Sequence, residues 1–255
     1  MRHLLISTKV LFIFLCSSTS WATPIFEGYY KLSLNNNHIG YVIQRYNLDS
    51  QKKTFSSTHY IYLKLAGNTD IESLHAESDL DFTPKSYKYT SMTGKDTLTI
   101  DASVKGKKIA IKTIKNGKPL IKEIPLQKNV FLSSFLSHMM LKNEKGIAVN
   151  NKYQYSAIAE EEGKVYNGKA WVKEQIKEQG LDCFRVLNTF KGEKFVNYVN
   201  SKGESIKTVV PTTQLVAQLM KEPKEAHKGL PFNDKTIKLL FGDVPKGTTN
   251  MLSGK

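Results

Sequence analysis

The chain has 255 residues, 37 Lys+Arg against 23 Asp+Glu, and a formal charge of +14. Its hydrophobic and charged fractions, 40% and 24%, are those of an ordinary globular protein, with no low-complexity segment and no internal repeat. The basic excess is mostly lysine spread along the whole chain, and no nucleic-acid-binding motif accompanies it, so nucleic acid is not expected as a partner.

The N-terminus carries Arg2, His3 and Lys9, then an apolar run at 10–15, then a small polar stretch from Ser17 to Ala22. That order is the one a secretory signal needs, with Ser20 and Ala22 as the small residues before the cut. Residues 1–22 are therefore expected to be a signal peptide. The apolar core is far shorter than the ~20 residues of a membrane span. Phe14 and Leu15 stand before Cys16, where a lipidated cysteine needs small residues. Removing Arg2 and Lys9 with the 22 leader residues leaves 233 residues of charge +12, destined for the periplasm or for secretion. Cys183 is then the lone cysteine, so no internal disulfide can form, and its place in an apolar run predicts a buried, inert thiol.

From Phe26 the chain reads as a succession of strands. Residues 26–34 and 39–48 flank the turn Asn35-Asn36-Asn37, and further runs lie at 54–65, 70–82 and 85–92. In the run 70–82, Leu74, Ala76, Leu80 and Phe82 alternate with polar residues, the period of a half-buried strand. Residues 97–104, 108–114 and 120–124 continue the pattern, with Asn116-Gly117 as a tight hairpin signal. The period changes at 129–141, where Phe131, Phe135 and Met139 fall at helical spacing and predict a helix with a wide apolar stripe. Strands resume at 152–159, 165–177, 181–190, 194–200 and 204–210. Pro211 with Leu215, Val216, Leu219 and Met220 predicts a second short helix ending before Pro223. The segment 223–255 is rich in lysine and glycine and predicts a partly disordered tail, with one short helix capped by Asn233.

The chemistry-bearing residues form no pattern that specifies a reaction. Ser133, Ser134, Ser137 and His138 lack a nucleophile elbow and read as the polar side of the 129–141 helix. His38, His59, His75, His138 and His227 have no paired ligand spacing, and Glu160-Glu161-Glu162 reads as a solvated hairpin tip rather than a calcium loop. No catalytic residue, metal ligand or cofactor is assigned on this basis. Phe26, Tyr29, Tyr30, Tyr41, Tyr46, Tyr60, Tyr62, Tyr87 and Tyr89 crowd the first strands, as core filling or as the wall of a concave surface.

Several stretches resemble a known family. The segment VFLSSFLSHMM, the strands YQYSAIAEEEGKVYNGKAWVKEQ, LDCFRVLNTF and FVNYVNSKGESIKTVV, and the opening GYYKLSLNNNHIGYVIQRY together resemble the bacterial envelope family called domain of unknown function 3108. The likeness runs from about Phe26 to Val210 and is one of pattern and turn placement. It implies an exported β domain with a curved antiparallel sheet and no agreed activity.

The expected fold is mainly β, a curved antiparallel sheet or open barrel with two short helices, forming a single domain over 23–222. The expected function is that of an exported, non-enzymatic binding or scaffolding module of the cell envelope. Phe131, Phe135 and Met139 are the candidate lining of an apolar groove for a lipid or acyl chain. An anionic envelope polymer or an envelope protein is an alternative partner, and a hydrolase of an envelope polymer is the alternative function. Export has a direct check. Mass spectrometry of protein from its native host should find Thr23 as the first residue, whereas an intact Met1 or a fatty acid on Cys16 would contradict it.

Overall fold

The computed structural model describes residues 23–242; the expected signal peptide and residues 243–255 lie outside them. Eight strands follow one another first: β1 (Thr23–Leu34), β2 (Asn37–Asp49), β3 (Thr54–Leu65), β4 (Asn68–Asp79), β5 (Pro84–Thr93), β6 (Asp96–Lys105), β7 (Lys108–Lys115) and β8 (Lys118–Pro125). A short strand β9 (Val130–Leu132), a 3-10 turn (Ser133–Phe135) and helix α1 (Leu136–Lys142) come next. The second run of strands is β10 (Lys152–Ala159), β11 (Lys164–Glu178), β12 (Leu181–Phe190), β13 (Glu193–Val199), β14 (Ser205–Val210) and β15 (Leu215–Leu219). Helices α2 (Pro223–Ala226) and α3 (Asp234–Phe241) close the described chain.

The strands form one sheet in the order β8-β7-β6-β5-β4-β3-β2-β1-β15-β14-β13-β12-β11-β10-β9. Each of the two runs is an antiparallel meander, and they meet where β1 pairs with β15, Tyr30 opposite Leu219 and Leu34 opposite Leu215. Tight turns set the meander. Asn35 and Asn36 both take positive φ between β1 and β2, as do Asn116 and Gly117 between β7 and β8, the geometry whose twist matches paired strands. The edge strand β8 carries Pro119 and Pro125 with Lys118 and Lys122, residues that oppose pairing with another chain.

The sheet curls so that its two arms meet inside. The tip of the β10–β11 hairpin reaches β5 and β7: a Cβ at Gly163 would lie 3.2 Å from Tyr87 Oη and 3.3 Å from Ile111. Residues from both meanders build the interior, among them Phe26, Tyr30, Tyr46, Leu74, Tyr87 and Ile100 from one and Ala157, Phe190, Ile206 and Leu219 from the other. Tyr29, beside inward Tyr30, belongs instead to a second cluster on the outer face with Tyr41, Ile43, Tyr60 and Tyr62. A third cluster forms where Met140 of α1 meets Tyr153, Ala170, Val172 and Val186.

Two expectations are corrected. The helix expected at 129–141 begins only at Leu136. Val130, Phe131 and Leu132 are all buried, and they pair in parallel with the free edge of β10, Val130 opposite Ser156. The edge of β10 offers unpaired backbone groups, and satisfying them outweighs helical propensity. The helix expected after Pro211 is strand β15, because β1 and β14 each present an open edge that this segment fills. The C-terminal segment carries the expected helix capped by Asn233, α3, and one more short helix, α2. Glu222 and Glu225 form a capping box around Pro223, and Asn233 accepts from Thr236 N at 3.1 Å as the expected cap.

These last helices cover the outer tyrosine cluster. Ala226 and Ile237 are fully buried there, Tyr41 Oη donates to the Pro231 carbonyl at 3.0 Å, and His227 stacks 4.3 Å from Phe232. Arg45 joins the layers: it pairs with Glu27 at 2.5 Å, donates to the Phe241 carbonyl and lies 5.3 Å from the Phe241 ring. Glu27 is buried, and burial raises its pKa despite the Arg45 partner. Cys183 is fully buried, its thiol pushed up to about 11 by burial.

Phe135 is fully enclosed, 5.3 Å from Phe55 and 5.9 Å from Phe82. Phe135→Ala should therefore cost roughly 3–5 kcal/mol in denaturant unfolding, and a loss under about 1 kcal/mol would contradict its place in the core.

Candidate functional site

Two spaces stand on either side of the β9–α1 segment. The larger is an open cleft of about 1660 Å³ beside β9, α1 and β10, bordered by the β4–β5 and β6–β7 turns. Phe131 and Met139, two of the expected groove residues, line it. Phe131 lies 5.6 Å from Tyr155 of β10, and Tyr155 donates to Asn188 Oδ1 at 2.7 Å. Phe135, the third expected residue, is in the core and does not reach the cleft.

Tyr155 and Gly168 are the cleft residues that sequence reasoning missed. They are cross-strand partners, and a Cβ at Gly168 would lie 2.2 Å from the Tyr155 ring, so only glycine lets the tyrosine lie flat across β11. Alternation of Tyr153, Tyr155, Ala157 and Ala159 was the available signal for the inward face. Lys107, Lys128 and Lys169 border the same cleft, with Asp81 as an acidic neighbour. Lys142 at the end of α1 donates to the Leu80 carbonyl and sits 5.8 Å from the Phe82 ring, holding α1 against the β4–β5 turn.

The smaller space is a half-open recess of about 410 Å³ bordered by His59, Glu72, Leu74, Tyr89, Ser133, Glu160 and Glu161, among others. Glu160 is 2% exposed, which corrects its reading as part of a solvated hairpin tip. Its carboxyl accepts from Ser133 Oγ at 2.6 Å and Ser134 N at 3.1 Å. It thereby serves the free Ser134 N–H at the start of the 3-10 turn from 26 residues away. Burial pushes its pKa up against those hydrogen bonds. Glu161 and Glu162 stay near solvent, each 2.5 Å from Lys191.

Among the described residues the serine–histidine contacts involve enclosed side chains. Ser57 Oγ lies 2.8 Å from His59 Nε2, but Ser57 is fully buried. Ser137 Oγ is 3.5 Å from His138 Nδ1, and His138 is packed between Tyr46 and Phe55 at 4.4 and 4.9 Å. His59 pairs with Leu74 and His75 with Thr58, so the two histidines point to opposite faces. Among the described residues no group of three or more His, Cys, Asp or Glu is placed to hold a metal ion, and no helix is long and apolar enough to cross a membrane.

No family model matches this sequence, and no curated protein does. The chain is similar in fold to a solved β-barrel-like protein of domain of unknown function 1849 from Brucella abortus, with a TM-score of 0.57 and 12% identity over 78% of this chain and 96% of that one. A domain of unknown function 1089 protein from Pseudomonas aeruginosa aligns at a TM-score of 0.40 and 11% identity over 65% of this chain and 87% of that one. The first likeness places the chain among β-barrel-like architectures and speaks to fold alone.

The buried histidines give the fold an acid-sensitive element. Burial pushes His138 and His59 down to about 4, below the ordinary 6.5, so each contributes stability that is complete above pH 6.5 and lost as pH falls towards 4. Glu160 and Glu72, raised by burial, act in the opposite sense as pH rises from 4.5. His138→Leu should therefore keep about 2–3 kcal/mol more of its neutral stability at about pH 4.5 than wild type keeps. Urea unfolding at the two pH values checks this, and an unchanged pH dependence would contradict it.

Proposed function

We propose that this chain is an exported, non-enzymatic binding module of the cell envelope, and that its large cleft receives the acyl part of an anionic amphiphile. One observation carries the reading: a wall of Phe131, Met139 and Tyr155 shares a cleft with Lys107, Lys128 and Lys169. An acyl chain gains by leaving water against such a wall, about 0.8 kcal/mol per buried methylene. Lysines at the border meet an acidic head group while their stems cover apolar surface. The cleft is also large enough for a chain of many carbons, since pockets for drug-sized ligands span roughly 300–1,000 Å³. The N-terminal sequence and the likeness of 26–210 to an exported β-domain family support the envelope location.

Binding of a fluorescent fatty acid, followed by titration, tests this. Met139→Asp should weaken the probe about tenfold or more, equal to about 1.4 kcal/mol, without unfolding the protein. Lys128→Glu with Lys169→Glu should weaken the fatty acid but leave a neutral alcohol of the same chain length nearly unaffected. A wild type without saturable binding, or variants that bind as wild type does, would end the proposal.

A further inference from the structure

The outer face of the second meander carries an apolar row that neither the cleft nor the core uses. Trp171, Leu187, Val196, Val209 and Val216 stand directly opposite one another across β11 to β15, which puts their side chains on one face of the sheet. Their neighbours along the strands, such as Ala170, Val172, Val186 and Ala217, pack into the core, so the row points outward. All five are half-buried, and none belongs to any of the three hydrophobic clusters. Helices α2 and α3 cover the same face of the first meander, where they pack on β1, β2 and β3. We propose that the apolar row is a docking face for an anionic lipid membrane.

Charge selects the partner. The row runs between two lines of basic side chains, with Lys169 and Lys194 on one side and Arg185, Lys207 and Lys31 on the other. Lys152 and Lys173 attend Trp171 itself, their Nζ atoms 4.6 and 3.2 Å from the ring centre. Arg185 and Lys207 have carboxylate partners in Glu174 and Glu178. Among the described residues Lys31, Lys152, Lys169, Lys173 and Lys194 have no ion-pair partner. A second copy of the chain would set these lysines against one another.

Shape and spacing favour lipid over a protein. The face is the outside of the curl, and no member of the row lines the cleft or the recess, so it suits a broad surface and not a small ligand. The row spans roughly 19 Å across five strands. A fluid lipid surface supplies anionic groups along all of that length, whereas a protein would need acids placed to match. The indole and aliphatic groups would enter the head-group boundary while the lysines meet the head groups. Lys169 also borders the cleft, which puts a docked membrane beside the cleft mouth; the docking itself does not depend on what the cleft holds.

Trp171 is the single tryptophan after residue 22, so its emission reports on this face alone. Protein beginning at Thr23 should sediment with vesicles of phosphatidylcholine and about one third phosphatidylglycerol, with a blue-shifted Trp171 emission. It should bind pure phosphatidylcholine at least about tenfold more weakly, and salt at about 0.5 M should release it. Lys152→Glu with Lys194→Glu should weaken binding about tenfold or more, and Leu187→Gln at least about threefold. Melting curves and fatty-acid binding in the cleft should stay unchanged in both, which keeps the two sites' outcomes distinct. Lys118→Glu with Lys122→Glu, the same charge change on edge strand β8, should leave vesicle binding nearly unaffected. Vesicles that leave the Trp171 emission unmoved, as they would if the face met an acidic protein or a second copy, would overturn the proposal. Equal binding to neutral and anionic vesicles, equal losses in the two double variants, or an unaffected Leu187→Gln would do the same.

Discussion

The pairing of β1 with β15 is the constraint on which the rest depends. Each meander alone would present a long open edge and leave one face of apolar side chains against water. Joining them at Tyr30–Leu219 gives β1 a partner on both sides and makes the two meanders one continuous curved sheet. It also makes both faces of β1 interior. Tyr30 belongs to the core inside the curl, and Tyr29 to the cluster beneath α2 and α3. The Arg45–Glu27 pair and the Phe241 carbonyl secure that outer layer across β1 and β2.

Inside the curl, β9 and α1 act as an inserted wedge. Three buried residues of β9 complete the free edge of β10, and Glu160 meets the start of the 3-10 turn with a carboxyl from the hairpin above. The wedge divides the interior into two unlike environments. On one side are Phe131, Met139 and Tyr155 with lysines at the rim. On the other are Glu72, Glu160 and His59, with Glu160 held by Ser133 and Ser134. A single insertion thus separates a lysine-rimmed cleft from an acidic recess in a basic protein.

Most strands were legible because their side chains alternate and their turns carry residues that accept positive φ, as at Asn116-Gly117. The misses share one physical cause, which is that a partner distant in sequence decided the outcome. Residues 130–132 have helical spacing, but the vacant edge of β10 makes them a strand. Leu215–Leu219 has the composition of a short helix, yet it lies between two strands that need it. The helix capped by Asn233 was legible, but not where it packs, because the burial of Ile237 and Phe241 depends on tyrosines some two hundred residues earlier. At the site, an apolar stripe at Phe131, Phe135 and Met139 was visible, but not which member faced a cleft and which the core. Glu160 had no signal at all, since three consecutive glutamates in a turn give no hint that the first points inward.

Neighbouring methionines on α1 offer the most direct test of the cleft. Met139 borders it, whereas Met140 is 2% exposed and packs against Tyr153 and Val172. Titrating dodecanoate into protein labelled with ¹³C at the methionine methyls reads both residues in one spectrum. The account expects the Met139 methyl to shift along a saturable curve while Met140 stays nearly still. A stationary Met139, or shifts confined to exposed Met92 at the opposite end of β5 from the β4–β5 turn, would contradict it.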